Sequence, residues 1–229
     1  MKKLIIILTI LAFSGTSAYA LDMSNHIGVG AWLGGNMPLH GNYDSTDALS
    51  DAAGFYGFPA LEVKYVIMDK AAVAVNFGYG YMPIKDEKKD SLLGVAFKDL
   101  TPALNIPYVT LNGTYNFGPM LKAEDNKLNP FLTGGVGMYM WKFTENERSG
   151  TLTNEIFDDT TLAVEDFKGS SLGINIGGGV EYFVMENLAV FGRLNYHYVM
   201  MKDEDKFGAD FGNQGFLMFG AGATYYFPI

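Results

Sequence analysis

Apolar and polar residues alternate with a period of two along most of this chain, which is the pattern of strands whose two faces meet different surroundings. In GVEYFVMENLAVFGRLNYHYV (179–199), Val180 and Tyr182 stand opposite Glu181. Beyond the turn-like MEN, Leu194, Tyr196 and Tyr198 stand opposite Arg193, Asn195 and His197. The apolar residues there do not recur at helical spacing. Eight segments read as strands: 25–36, 55–67, 72–84, 105–117, 129–143, 171–183, 189–200 and 215–227. Each reaches or slightly exceeds the roughly 9–11 residues with which a tilted strand crosses a bilayer.

The connections sort the strands further. Those after the second, fourth and sixth strands are short or moderate, whereas those after the first, third, fifth and seventh run to about 17, 20, 27 and 14 residues. Strict alternation puts long loops at one end of an up-and-down barrel and short turns at the other, as in outer-membrane barrels. Leu61, Val63, Tyr65 and Ile67 oppose Glu62 and Lys64, and Val109, Leu111 and Tyr115 oppose Thr110, Asn112 and Thr114. The fifth strand is apolar or glycine on both faces. Aromatics gather in two bands around aliphatic strand centres. Tyr79, Tyr81, Tyr139, Trp141, Tyr196 and Tyr198 lie toward the long loops, and Tyr182, Tyr225 and Phe227 toward the short turns. Such bands are the interfacial girdles of membrane barrels. The prediction is an all-β, eight-stranded antiparallel up-and-down transmembrane β-barrel, with lipid on the apolar face and a polar interior on the other.

The N-terminus supplies an address. MKK, then LIIILTILAF, then SGTSAYA with small residues at Ala18 and Ala20 have the three-part layout of a secretory signal peptide, residues 1–20. The ten-residue apolar run is about half the roughly 20 residues that a spanning helix needs. The expected domain is therefore 21–229, exported to the cell outer membrane. With no cysteine among the 229 residues, neither a disulfide framework nor a lipoprotein anchor is available. The net charge is −9, and removing Lys2 and Lys3 with the signal makes it −11. That balance excludes nucleic acid as a partner. The long loops, taken as 38–53, 85–104, 144–169 and 202–213, sum to −3, 0, −5 and −2, so nearly all the net charge lies beyond the strands. Loop 144–169 carries no strong strand pattern, and a tag near Asn154 is expected to be tolerated.

Three stretches resemble the small Gram-negative outer-membrane barrels of the OmpA-like and OmpW-like group: NPFLTGGVGMYMW, GINIGGGVEYFVMENLAVFGRLNYHYV and the terminal GAGATYYF. The resemblance covers essentially the whole mature chain and rests on pattern. It implies insertion by the barrel-assembly machinery, which reads a terminal strand such as the alternating Ala223, Tyr225 and Phe227. In that family the last residue is often Phe, whereas here Pro228 and Ile229 follow. Outer-membrane lipid and lipopolysaccharide are the expected surroundings, with an external ligand or surface met through the loops.

Candidate chemistry is sparse. His26, His40 and His197 lack the Ser two residues on that lipid A deacylases use, and no nucleophile–base–orienter set is visible. GINIGGGVEY continues as a strand with no helix after it, so it is not a phosphate loop. The clustered carboxylates of 157–166 and 202–206 lack calcium-loop spacing. No catalytic, cofactor or metal site is expected, and no cofactor. The residues singled out are interior ones: Glu181, Arg193, Glu62, Lys64, Asn195 and His197. A hairpin centred near Asn187 pairs positions summing to about 374, which sets Glu181 opposite Arg193. The expected function is a non-enzymatic outer-membrane barrel with a structural or surface-interaction role through acidic loops. The alternative is a narrow OmpW-like conduit for small apolar or amphiphilic solutes. A lipid-modifying enzyme is the third reading.

Overall fold

The computed structural model describes residues 23–41, 53, 55–68, 70–85, 103–118, 127–144, 153–158, 161–166, 168–201 and 212–229. The strands are β1 (His26–His40), β2 (Tyr56–Met68), β3 (Ala71–Pro83), β4 (Ala103–Asn116), β5 (Leu128–Thr144), β6 (Thr153–Asp158), β7 (Thr161–Asp166), β8 (Lys168–Met185), β9 (Leu188–Val199) and β10 (Gln214–Pro228). Eight of them close a barrel in the order β1-β10-β9-β8-β5-β4-β3-β2, every pair antiparallel. Closure through the β1–β10 ladder, from His26 opposite Pro228 to His40 opposite Gly215, leaves the barrel sheet without a free edge. In lipid that is obligatory, because no water is present to satisfy a free N–H or C=O.

The short-turn end is tied by the chain termini. Asn25 N–H donates to Val66 O at 2.9 Å, and Ile229 N–H to Asn25 O at 3.1 Å. Tyr226 N–H reaches Asn187 O, in the β8–β9 turn, at 2.7 Å. One feature of the wall depends on glycine. Gly34 and Gly220 face each other across β1–β10, and a Cβ on Gly34 would lie 2.7 Å from the Gly220 Cα. Only glycine on both strands allows that approach.

The outer surface is what a soluble protein avoids. Leu33, Leu61, Leu172 and Ile176 are 58–70% exposed, and they belong to a continuous outward belt with Val136 and Leu111. Contiguous apolar surface on this scale marks contact with another apolar phase. For a closed barrel with strands of 12–18 residues, that phase is the bilayer.

Three expectations need correction. The loop 144–169 contains the β6–β7 hairpin, with Asn154 paired to Glu165 inside its ladder. The six-residue strands TNEIFD and TLAVED are too short, and too interrupted by acids, for their alternation to be read as more than loop. Tyr139 and Trp141 are not girdle residues: they are 0% and 2% exposed and point inward, while Met138 and Met140 take the lipid face of β5. On a strand apolar on both faces, pattern alone could not choose the side. Tyr81 is also buried, its ring edge-on to Tyr56 at 4.7 Å. The other girdle aromatics are exposed or half-buried; Tyr79 donates its hydroxyl hydrogen to Asn105 Oδ1, and Tyr182, Tyr225 and Phe227 are open at the short-turn end. Residues 1–20, expected as a signal peptide, and most of the four long loops lie outside the described residues.

Candidate functional site

Inward-facing side chains form three layers. At the short-turn end Met23, Val66, Ala72, Phe183, Ala189 and Tyr226 make a small apolar floor. Above it lies a charged and amide-rich layer. Toward the long loops the interior becomes apolar again, with Met82, Leu104, Ile106, Phe143, Val199 and Phe216 among a larger buried cluster. The interior was expected to be polar throughout, and only its middle is. The inward positions of the loop-side ends (Met82, Leu104, Phe143, Phe216) read in sequence as continuations of apolar runs.

The charged layer is a chain of four ionised groups drawn from three strands. Lys64 Nζ on β2 lies 2.6 Å from Glu181 Oε1 on β8 and 3.4 Å from Glu62 Oε1 two residues away. Glu62 Oε2 in turn accepts from Arg193 Nη1 on β9 at 2.8 Å. All four side chains are at most 6% exposed. Alternation places Glu62 and Lys64 on the same inward face of β2, and the barrel is narrow enough for β2 to meet β8 and β9 across it.

Neutral groups complete the layer. Tyr226 donates its hydroxyl hydrogen to Glu181 Oε1 at 2.9 Å, and Asn129 Nδ2 donates to Glu181 Oε2 at 3.0 Å. Lys64 Nζ also reaches Tyr226 Oη at 3.3 Å. Arg193 donates to Asn76 Oδ1 at 3.3 Å, and its guanidinium carbon sits 4.7 Å from the Phe191 ring centre and 5.0 Å from that of Trp32. Stacking between aromatic faces suits a planar, weakly hydrated cation. Buried charges are retained in this manner, each with an opposite charge and further hydrogen bonds.

The expected partner assignment is corrected by the position of the β8–β9 turn and by one bulge. The β8–β9 ladder shifts between Phe183 and Met185, so Glu181 lies across from Phe191 and Arg193 across from Gly179. The turn closes on the Met185–Leu188 pair, which moves the register by one position from that expected, and the bulge moves it by one more, so Glu181 and Arg193 are joined only through Lys64 and Glu62. Asn195 and His197 also point inward and are buried. His197 Nδ1 lies 2.7 Å from the Tyr139 hydroxyl, above the charged layer, so it takes no part in the ion-pair chain. Sequence reading did not single out Tyr226 and Asn129, and it placed Asn76 on the polar face of its strand without joining it to this layer. Tyr226 was legible, since it stands between the outward Tyr225 and Phe227 and must face inward.

Chemically, the layer is a brace. Among the described residues no group of three or more His, Asp or Glu is placed to hold a metal ion. His40 is turned outward by the β1 bulge between Pro38 and His40, where it stacks on Tyr196 and Tyr198 with ring centres 5.9 and 5.8 Å apart.

No protein-family model matches the chain, and no curated protein matches it. Solved structures do. The chain is similar to Neisserial surface protein A, with a TM-score of 0.53 and 15% identity over 89% of this chain and 98% of that one. It is similar to the outer membrane protein OprG from Pseudomonas aeruginosa, with a TM-score of 0.52 and 14% identity over 94% and 99% of the two chains. The outer membrane protein AlkL, solved in lipid bilayers, matches with a TM-score of 0.50 and 13% identity over 94% of this chain and 93% of its own. The fold is that of the small eight-stranded outer-membrane barrels.

Proposed function

We propose that this chain is a non-enzymatic barrel of the Gram-negative outer membrane, exported by the signal peptide 1–20, that acts by presenting its acidic long loops outside the cell. The observation that carries this reading is the closed wall with an apolar exterior around an interior crossed by the Glu181–Lys64–Glu62–Arg193 chain. A scaffold filled in this way leaves function to its loops. The test is replacement of 145–167 and 202–213 by short neutral linkers in cells that otherwise carry the native chain. The barrel should still assemble in the outer membrane while attachment of intact cells to a cationic surface falls. Unchanged attachment with normal assembly would contradict the surface role.

A second reading is favoured by the apolar loop-side half of the interior. Met82, Leu104, Ile106 and Phe143 pack together there, and a small apolar molecule entering from outside would pass by parting apolar side chains rather than by displacing charges. On this reading the charged layer is the floor that stops the solute and turns it back toward lipid. Uptake of a small apolar dye into vesicles carrying the protein, above that into protein-free vesicles, would support it.

A further inference from the structure

The β6–β7 hairpin is a sheet of its own. Its pairs run from Thr153 opposite Asp166 to Asp158 opposite Thr161, and among the described residues neither strand pairs with a third. Each barrel strand has two neighbours, whereas β6 and β7 have one. In an antiparallel ladder alternate residues direct N–H and C=O away from the partner, so about three residues on each strand present both groups to an open edge. Such edges accept further strands. A two-stranded ribbon is also marginal by itself and gains stability from a third strand.

Register and sequence together define what the ribbon offers. Thr153–Asp166, Glu155–Val164 and Phe157–Leu162 share one face, and Asn154–Glu165, Ile156–Ala163 and Asp158–Thr161 share the other. Two acids fall on each face among apolar positions, so neither face can be covered without taking carboxylates out of water. Recognition is left to the edges. Residues 153–166 hold Glu155, Asp158, Asp159, Glu165 and Asp166, with no Lys or Arg. A second copy of the hairpin would set acids beside acids, which opposes edge-to-edge pairing of like chains, whereas a basic strand would gain charge pairs at the same positions.

We propose that the β6–β7 hairpin docks an extended basic segment of an external protein, which adds to it as a third β-strand. Main-chain hydrogen bonds along the open edge supply the affinity, and Lys or Arg side chains opposite the acids select the partner. Each strand is six residues long, so a segment of about 20 Å fills the edge. A single residue separates Asp166 from Lys168, the start of β8, so the hairpin stays at the long-loop end of the wall. This inference rests on the reading that the long loops stand outside the cell, and it names the partner they meet there.

The test uses the full mature chain in zwitterionic phosphatidylcholine nanodiscs. The probe is a fluorescent peptide of alternating Lys and Val, about six residues long. Its control is the same peptide methylated at every backbone nitrogen, which keeps the charge and removes the donors. Fluorescence anisotropy should show the unmethylated probe binding about tenfold more tightly, the factor for about 1.4 kcal/mol. Glu155→Gln, Asp158→Asn, Glu165→Gln and Asp166→Asn together should weaken that binding about tenfold. A Gly-Ser linker of equal length in place of 153–166 should abolish it. Heat-dependent gel mobility verifies that the barrel is folded in every variant. Equal binding of the two peptides, or binding that survives the linker, would overturn the site. Full binding by the amide variant would overturn the basic partner. So would sedimentation of the unaltered protein as a dimer that the linker variant does not form, which would assign the edge to a second copy. Binding in nanodiscs, with intact cells labelled no better than cells carrying the linker variant, would overturn the outward placement of the loops and the external partner with it.

Discussion

Replacing Lys64 by methionine isolates the energetics of the buried ion chain. The unbranched thioether fills much of the space of the lysine stem, so the change removes charge more than volume. Lys64 Nζ is 2.6 Å from a Glu181 oxygen and 3.4 Å from a Glu62 oxygen, so those two oxygens lie within about 6 Å of each other. At an effective dielectric of about 20, two unit charges at about 6 Å repel by about 3 kcal/mol. Glu62 keeps Arg193, but Glu181 is left with only Tyr226 and Asn129 as hydrogen-bond donors. Breaking a buried pair from one side costs about 3–5 kcal/mol. Lys64→Met should therefore lower the unfolding free energy by about 3–5 kcal/mol. Adding Glu181→Gln removes the stranded charge and should restore about 2 kcal/mol. Urea titration of refolded protein in lipid vesicles, followed by tryptophan fluorescence, measures both. A loss below about 1 kcal/mol for Lys64→Met, or a double variant weaker than the single one, would refute the reasoning.

The same chain makes a prediction about coupling: a double-mutant cycle on Arg193 and Glu62 should give an interaction above about 1 kcal/mol, larger than the cycle on Arg193 and Glu181. Equal couplings in the two cycles would put Glu181 back beside Arg193. Gly34→Val should cost about 2 kcal/mol or more and slow assembly, because its side chain would press on the Gly220 backbone; wild-type stability by the same urea titration would contradict this. An epitope inserted between β6 and β7, at residues 159–160, should be labelled by antibody on intact cells, whereas labelling only after permeabilisation would reverse the topology.

How much of this was written in the chain depends on the kind of contrast each strand carries. β2 alternates Leu61, Val63 and Tyr65 with Glu62 and Lys64, so its register toward the bilayer follows from period two alone. β5 offers no such contrast: Met138, Tyr139, Met140 and Trp141 are all apolar, and only packing against Tyr108 and His197 draws Tyr139 inward. The candidate site divides the same way. Alternation puts Glu62, Lys64, Glu181 and Arg193 in one interior. Which of them meet is set by where the β8–β9 turn closes, by a bulge near Val184 and by the stagger of the whole barrel, and the last two have no local signature.

Single-channel recording on the unaltered protein in planar bilayers tests the central claim most directly. A wall closed on itself around a packed and ion-paired interior should insert, shown by protease resistance of the strands, and then pass no steady current of porin size. A large, stable conductance from inserted, folded protein would contradict it.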